Sequence, residues 1–347
     1  MRTSLLKGWR VLITGGTGFI GSRLSERLLN EGCRITVITR QCMKPTVAYL
    51  MEQGVEIVQG DVIDWESLTA CKHLGSFDIV LHFAANVSLW GDAMRETNIE
   101  GTRNVLRLTE LVKATRFVFA SSIEAQGPGA ISEIPLTEEH PCQPISPYGD
   151  AKRQGEILTE EFAQRTGIPT LIARIGNTYG IGGLGFVQPF LYALFTNNVF
   201  AKALPYISNR WIQPIYVDDL VEALVRALSA DLSGIYNFTG NQPVTVGEWL
   251  ITIGELLEVE RLAYQRLNKT GLVSPEQIKG DKSIENTPEV AYYLMAEDER
   301  VHRIYSDAKL RAKIGDYQRY NLYRGSAATI AWYQKERILE PIWAEAL

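Results

Sequence analysis

Trp9-Arg10-Val11-Leu12-Ile13-Thr14-Gly15-Gly16-Thr17-Gly18-Phe19-Ile20-Gly21 stands near the start of the chain. Its first half is a short apolar run with β-branched residues, the composition of a strand buried on both faces of a parallel sheet. Ser22 to Asn30 follows with Leu24, Leu28 and Leu29 at helical spacing. Strand, glycine turn and helix in that order form the context in which a glycine-rich segment reads as a dinucleotide fingerprint. Gly15 permits the tight turn, Gly18 lets the backbone approach a pyrophosphate, and Gly21 lets the helix pack closely on the strand. The N-terminus of that helix offers free N–H groups to phosphate. The spacing is Gly-x-x-Gly-x-x-Gly rather than the commoner Gly-x-Gly-x-x-Gly, and a purely structural turn is the competing reading.

The strands that follow define the rest of such a cleft. Cys33 to Arg40 is a second strand, ending where an adenosine ribose would lie. An acidic residue at this point suits the ribose 2′-hydroxyl of NAD, and an arginine suits a 2′-phosphate. The chain has Arg40, then Lys44, and no carboxylate until Glu52. The guanidinium fork matches phosphate, so NADP(H) is favoured over NAD(H); a solvated strand end is the alternative. A third strand, Val55 to Gly60, runs into Asp61 and Val62. Asp61 is placed to accept from an adenine amino group with Val62 against the ring, or else to cap the helix at Trp65. A fourth strand, Phe77 to Phe83, leads into Ala84 and Ala85, small residues that let the backbone approach the cofactor. His82 lies inside that apolar strand and reads as a packed histidine.

Ser122 precedes Tyr148 by 26 residues, and Lys152 follows in the run Ser-Pro-Tyr-Gly-Asp-Ala-Lys. With fifteen tyrosines in the chain, a Tyr-x-x-x-Lys pair by itself means little. Behind a dinucleotide fold it describes hydride chemistry at a carbon bearing oxygen. A lysine ammonium beside a phenol favours the phenolate and lowers its pKa toward neutrality, making the tyrosine a proton donor and acceptor. A serine hydroxyl on the same substrate oxygen stabilises charge that develops there.

The chain resembles the extended short-chain dehydrogenase/reductases, the group that contains sugar-nucleotide epimerases, 3β-hydroxysteroid dehydrogenases and dihydroflavonol reductases. The resemblance is carried by Thr14 to Gly21, Gly60-Asp61-Val62, His82 to Ala85, Asn98 to Thr102, Ser121-Ser122, Tyr148 to Lys152 and Arg174 to Gly180. Tyr216 to Leu220, Tyr236-Asn237-Phe238, Ser306 to Lys309 and Ala331-Trp332-Tyr333 extend it over nearly the whole chain. It implies Tyr148 as acid/base, Lys152 as the residue that holds the nicotinamide ribose and tunes Tyr148, and Ser122 as the ligand of the substrate oxygen. It further implies cofactor contacts from Phe19, Ile20, Ala84, Ala85 and Ile175, and a substrate contact from Asn177. In the family, helices matching 92–115 and 147–166 pair with those of a second subunit, so a homodimer is expected.

The fold expected is α/β, a Rossmann-type doubly wound parallel sheet with a smaller C-terminal substrate-binding region. Residues 1–176 and about 212–240 form the NAD(P)-binding part, and about 177–211 with 241–347 the substrate part. The polar stretch Gly271 to Thr287 reads as a mobile loop that carries substrate contacts. A chain of 347 residues can bury a large core, and a net charge of −5 argues against a nucleic-acid footprint. Four cysteines without metal spacing read as reduced thiols in a cytoplasmic protein, with no metal site expected. The most apolar long stretch, Phe186 to Leu204, contains Pro189, Asn197, Asn198 and Lys202, which argues against a membrane span.

The substrate is a small molecule. Nucleotide-sugar members of the resembling family grip a diphosphate with arginines at two places in the C-terminal half. Here the first stretch reads Asn209-Arg210-Trp211-Ile212-Gln213-Pro214, with its arginine displaced and Gln213 where an aspartate is usual. The second reads Ala296-Glu297-Asp298-Glu299, which repels a diphosphate, although Arg300 and Arg303 lie close by. Ser88-Leu89-Trp90 also looks closer to the hydroxysteroid dehydrogenases. The favoured reading is an NADP(H)-dependent oxidoreductase that interconverts a ketone and a secondary alcohol. The alternative is a nucleotide-sugar 4-epimerase or 4-ketoreductase with bound cofactor. A redox-sensing binding protein is a third reading, disfavoured because a sensor needs no proton donor.

Overall fold

A computed structural model describes residues 5–88, 91–184, 187–195, 201, 204, 208–267 and 302–339. Leu89-Trp90, residues 186, 196–200, 202 and 203 of the stretch 186–204, the expected loop 271–287, the acidic run 296–299 and Arg300 lie outside the described residues.

The first half alternates strand and helix: β1 (Arg10–Thr14), α1 (Phe19–Asn30), β2 (Arg34–Thr39), α2 (Pro45–Glu52), β3 (Glu56–Gln59), α3 (Trp65–Thr69) and β4 (Ile79–His82). Then come α4 (Asp92–Arg95), α5 (Gly101–Leu111), β5 (Phe117–Ser122), α6 (Pro147–Thr166), β6 (Thr170–Ile175) and the short β7 (Thr178–Tyr179). The remainder comprises α7 (Gln188–Phe195), β8 (Trp211–Ile212), β9 (Ile215–Tyr216), α8 (Val217–Ser229), β10 (Gly234–Phe238) and β11 (Val244–Thr245). It closes with α9 (Val246–Leu256), α10 (Glu260–Leu267), α11 (Ala308–Ile314) and α12 (Leu322–Lys335).

Seven strands pair in the order β10-β6-β5-β4-β1-β2-β3, every pair parallel. Successive strands run outward from β1 to β3, and the chain then returns to build β4, β5 and β6 on the other side. The reversal falls between β1 and β4, where open α/β sheets form a crevice at their carboxyl ends. The central strands are buried except at Arg10 and Ser122, as their apolar runs require. One apolar cluster packs α1 and α8 on one face, with Leu24, Leu28, Leu220 and Leu224 at its heart. A second packs α5 and α6 on the other face through Val105, Leu108 and Phe162. A third, around Trp249, Phe190, Leu191 and Tyr333, gathers α7, α9 and α12 away from the main sheet.

The single helix expected over 92–115 is divided. A π-helical turn at Glu96–Glu100 separates α4 from α5. Asn98 lies in this wide turn, and its side-chain amide reaches back to accept from Asn86 N and donate to Asn86 O, both at 2.9 Å. That pair fixes the loop leaving β4. The helix expected at 147–166 is continuous. Ser146 caps it by accepting from Gly149 N, Pro147 opens it, and Gly167 ends it in the left-handed region.

Candidate active site

The glycine turn is built by exclusion of side chains. Gly15 has φ of +76°, and a Cβ there would overlap the backbone of Phe83 and Ala84. A Cβ on Gly21 would overlap the Gly15 carbonyl. The first turn of α1, carrying Phe19 and Ile20, is thereby pressed onto the end of β1. Gly18 caps α1 without a side-chain hydrogen bond, and no acidic residue stands in the first turn. The positive end of this helix therefore faces the crevice without an anionic partner of its own.

Above it lies a cleft of about 200 Å³ whose walls include Gly15, Gly18, Arg40, Lys44, Asp61 and Ala84. Val62 and Ala85 line it as well, although the Val62 side chain is mostly buried against Gly101 of α5. Arg40 is largely exposed, and its Nη1 lies 3.8 Å from Asp61 Oδ2. Asp61 is not the cap of α3. Asp64 holds that position, accepting from Glu66 N and Ser67 N, while Asp61 accepts from Ile63 N at 3.2 Å. An uncapped helix N-terminus, a close-packed glycine turn and two cations at one end fit a dinucleotide phosphate.

The second group of residues meets at the carboxyl ends of β5 and β6. Ser122 is the last residue of β5, in register with Ile175 at the end of β6. Tyr148 and Lys152 lie one turn apart on α6, both facing the sheet. A Cβ on Gly149 would overlap the Glu124 carbonyl, so the start of α6 rests directly on the turn after Ser122. The Ser122 hydroxyl, which accepts from Glu124 N at 3.2 Å, faces the Tyr148 phenol. Burial pushes the Tyr148 phenol up to about 12, Glu124 adds to this, and the Ser122 hydroxyl pulls the other way. The expected descent toward neutrality is therefore absent in the protein alone, because loss of hydration outweighs other influences on the phenol.

Burial lowers Lys152 to about 8, and Glu156 pulls it back upward. Its Nζ sits 4.5 Å from the centre of the Phe119 ring. His82 is buried and held by Thr14 Oγ1 at 2.7 Å and Thr102 Oγ1 at 3.1 Å. Desolvation, aided by Lys152, lowers it to about 3, so it is a neutral packed imidazole at ordinary pH, as its strand context implies. Asn177 follows β6, with a buried Nδ2 that has no hydrogen-bond partner among the described residues.

Three partners were not legible in the sequence. Glu156 is fully buried and accepts from Ser121 Oγ at 2.7 Å and from Arg174 Nε and Nη2, both at 2.9 Å. Glu124 accepts from Arg303 Nε at 2.7 Å, and Tyr305 Oη donates to Gly127 O at 2.6 Å, which ties the segment after residue 302 onto the turn below Tyr148. Gln213, which stands where the nucleotide-sugar members carry an aspartate, is spent inside the fold. It donates to Gly240 O at 2.5 Å and accepts from Tyr305 N at 2.7 Å. Glutamine supplies both a donor and an acceptor there, which a carboxylate does not.

The model of the NAD dependent epimerase/dehydratase family matches residues 11–238, a span that holds the glycine turn, Ser122, Tyr148 and Lys152. The chain belongs to this family. It is an extended short-chain dehydrogenase/reductase enzyme. A putative UDP-glucose 4-epimerase of Methanocaldococcus jannaschii is 24% identical over 331 residues, covering 93% of this chain and 97% of that protein. A UDP-glucose 4-epimerase of Thermus thermophilus, solved with NAD, is 25% identical with a TM-score of 0.72, covering 94% of this chain and 99% of that one. The dTDP-glucose 4,6-dehydratase DesIV of Streptomyces venezuelae, a double mutant solved with NAD, shares the fold at a TM-score of 0.76 and 22% identity, covering 96% of this chain and 99% of that one. Among the described residues, no helix is long and apolar enough to cross a membrane, and no group of His, Cys, Asp and Glu is arranged to hold a metal.

Proposed function

We propose that the protein transfers a hydride between NADP(H) and a secondary alcohol or ketone, with Ser122, Tyr148 and Lys152 as the catalytic set. The observation that carries this reading is the meeting of these three residues at the carboxyl ends of β5 and β6, beside the glycine-turn crevice. When bound, the nicotinamide gives or takes the hydride at the substrate carbon. Tyr148 exchanges the proton at the substrate oxygen, and Ser122 donates a hydrogen bond to that oxygen. A phenol held near 12 is protonated at neutral pH and ready to give its proton to an incoming ketone. Lys152 holds the nicotinamide ribose and keeps a positive charge near the phenol. Arg40 and Lys44 at the far end of the cleft favour the 2′-phosphate of NADP. The remaining cofactor contacts are assigned to Gly15, Gly18, Phe19, Ile20, Gly21, Asp61, Val62, Ala84, Ala85 and Ile175, and a substrate contact to Asn177. Residues 177–211 and 241–347 supply the substrate side, and a homodimer is the proposed assembly.

A second reading, a nucleotide-sugar 4-epimerase or 4-ketoreductase, is favoured by a relative named as a putative UDP-glucose 4-epimerase, and a dTDP-glucose 4,6-dehydratase, also named for a nucleotide sugar, matches over the same share, more than nine-tenths of the chain. Both readings share the Ser122–Tyr148–Lys152 step. Purified protein is incubated with NADPH or NADH and with panels of ketones, secondary alcohols, UDP-glucose and dTDP-glucose. A ketone reductase changes the nicotinamide absorbance in step with substrate. An epimerase exchanges the sugar's configuration with no net change. For whichever substrate turns over, Tyr148→Phe keeps the ring but removes the proton, and turnover is expected to fall by roughly 100-fold or more. Turnover within a few-fold of the parent would end the assignment.

A further inference from the structure

The helix that carries Tyr148 and Lys152 is anchored by a residue that touches neither the crevice nor solvent. Glu156 lies one turn beyond Lys152 on α6, fully buried. Its Oε1 accepts from Ser121 Oγ of β5 at 2.7 Å and from Arg174 Nε of β6 at 2.9 Å. Its Oε2 accepts from Arg174 Nη2 and from Arg153 Nη1, each at 2.9 Å. Ser121 and Arg174 are themselves opposite each other in the sheet register. One carboxylate therefore joins α6 to both strands at the level of Ser122, the neighbour of Ser121. A buried carboxylate with this many donors is costly to leave half-satisfied, and its geometry is correspondingly fixed.

We infer that Glu156 is a positioning residue: it locks the helix bearing Tyr148 and Lys152 against the strand bearing Ser122, and it supplies the counter-charge that keeps Lys152 an ammonium. This rests on the proposed role of Lys152 at the nicotinamide ribose. The groups facing Lys152 make the electrostatic case. On β4 stands His82, which is neutral and adds no charge. On β5 the Phe119 ring lies against Nζ. Tyr148 shares α6 and is protonated, and Glu124 faces that phenol from the turn after β5. Arg174 on β6 and Arg153 on α6 are cations bound to Glu156, and the Cys142 thiol contacts Arg174 from the preceding loop. The negative charge that supports Lys152 is Glu156. Removing it also leaves Arg174 without its counter-charge, and both effects disfavour the ammonium.

The test reads cofactor binding, so it requires no knowledge of the substrate. NADH affinity is measured by fluorescence across pH in the parent protein, where the affinity is expected to weaken with a midpoint near the Lys152 value of about 8. In Glu156→Gln the midpoint is expected to fall by about one unit, the scale of a lost neighbouring charge. Glu156→Asp, which keeps the charge, should restore most of it. An unmoved midpoint in a folded Glu156→Gln protein overturns the inference. If Glu156→Gln fails to fold, the Glu156→Gln/Arg174→Gln double variant is compared with Arg174→Gln alone: loss of Glu156 is expected to lower the midpoint between the two, and equal midpoints overturn the inference. Lys152→Met separates the two layers of the argument. If it retains the parent's pH profile, the proposed role of Lys152 fails; if it abolishes the profile, only the Glu156 variants judge the positioning role.

Discussion

The proposed preference for NADP(H) rests on Arg40, and the surroundings of Arg40 set the size of the effect expected. The guanidinium is 64% exposed and 3.8 Å from Asp61. Two unit charges at this distance in water attract by about 1 kcal/mol, and exposed pairs contribute a net ~0–1 kcal/mol. Asp61 therefore holds Arg40 only weakly, and turning the guanidinium to a 2′-phosphate sacrifices little. A charge-assisted hydrogen bond to that phosphate contributes about 1.5–3 kcal/mol. Subtracting the weak pair leaves about 0.5–3 kcal/mol, and roughly 1.4 kcal/mol, near the middle of that range, is tenfold in affinity. The parent should bind NADPH about tenfold more tightly than NADH. Arg40→Asp places a second carboxylate beside Asp61 and should reverse the order. Dissociation constants for NADPH and NADH, measured for both proteins by quenching of intrinsic fluorescence, test this. The NADPH advantage should shrink with added salt, because an exposed pair is screened. Equal affinity of the parent for both cofactors would refute the reasoning and leave Arg40 a solvated strand end.

Two further predictions concern stability. His82 has a folded-state pKa of about 3 against an ordinary 6.5, so only the unfolded chain takes up its proton between these values. That stability is fully present above pH 6.5 and lost as pH falls, by up to about 1.4 kcal/mol per unit; His82→Gln should flatten the fall in Tm between pH 6.5 and 4.5, and an unchanged slope would count against it. Gly149→Ala drives a methyl group into the Glu124 carbonyl and should destabilise the fold by about 1–3 kcal/mol, read as a lower denaturant midpoint, whereas a midpoint equal to the parent's would mean that α6 is not seated as described.

The sequence was most informative where the cause of structure is local. Apolar runs bounded by glycine place β1, β2 and β4 to within a residue or two of their ends, and Ser146, Pro147 and Gly167 mark both ends of α6. What escaped is long-range pairing. Nothing near Glu156 announces that Ser121 and Arg174, 35 and 18 residues away, will converge on it. Asp61 and Asp64 both precede α3, and the sequence does not say that Asp64 accepts from Ser67 N while Asp61 N donates to the Ser67 hydroxyl. The π-helical turn before α5 answers to Asn86 across the loop rather than to the helical periodicity of its own residues. The pKa of Tyr148 also lay beyond sequence reasoning, because it follows from burial rather than from the spacing to Lys152.

The contact between Glu124 and Arg303 spans 179 residues, and that between Tyr305 and Gly127 spans 178. All seven strands of the large sheet are complete once Phe238 has been made. A nascent chain of that length can close its sheet and its glycine turn around β1. It has not yet made the arginine that meets Glu124 or the tyrosine that braces the turn beneath Tyr148. During synthesis the glycine-turn end of the crevice can therefore form before the Tyr148 end is braced. The Tyr148 end of the crevice is finished last, by a segment that returns from far along the chain.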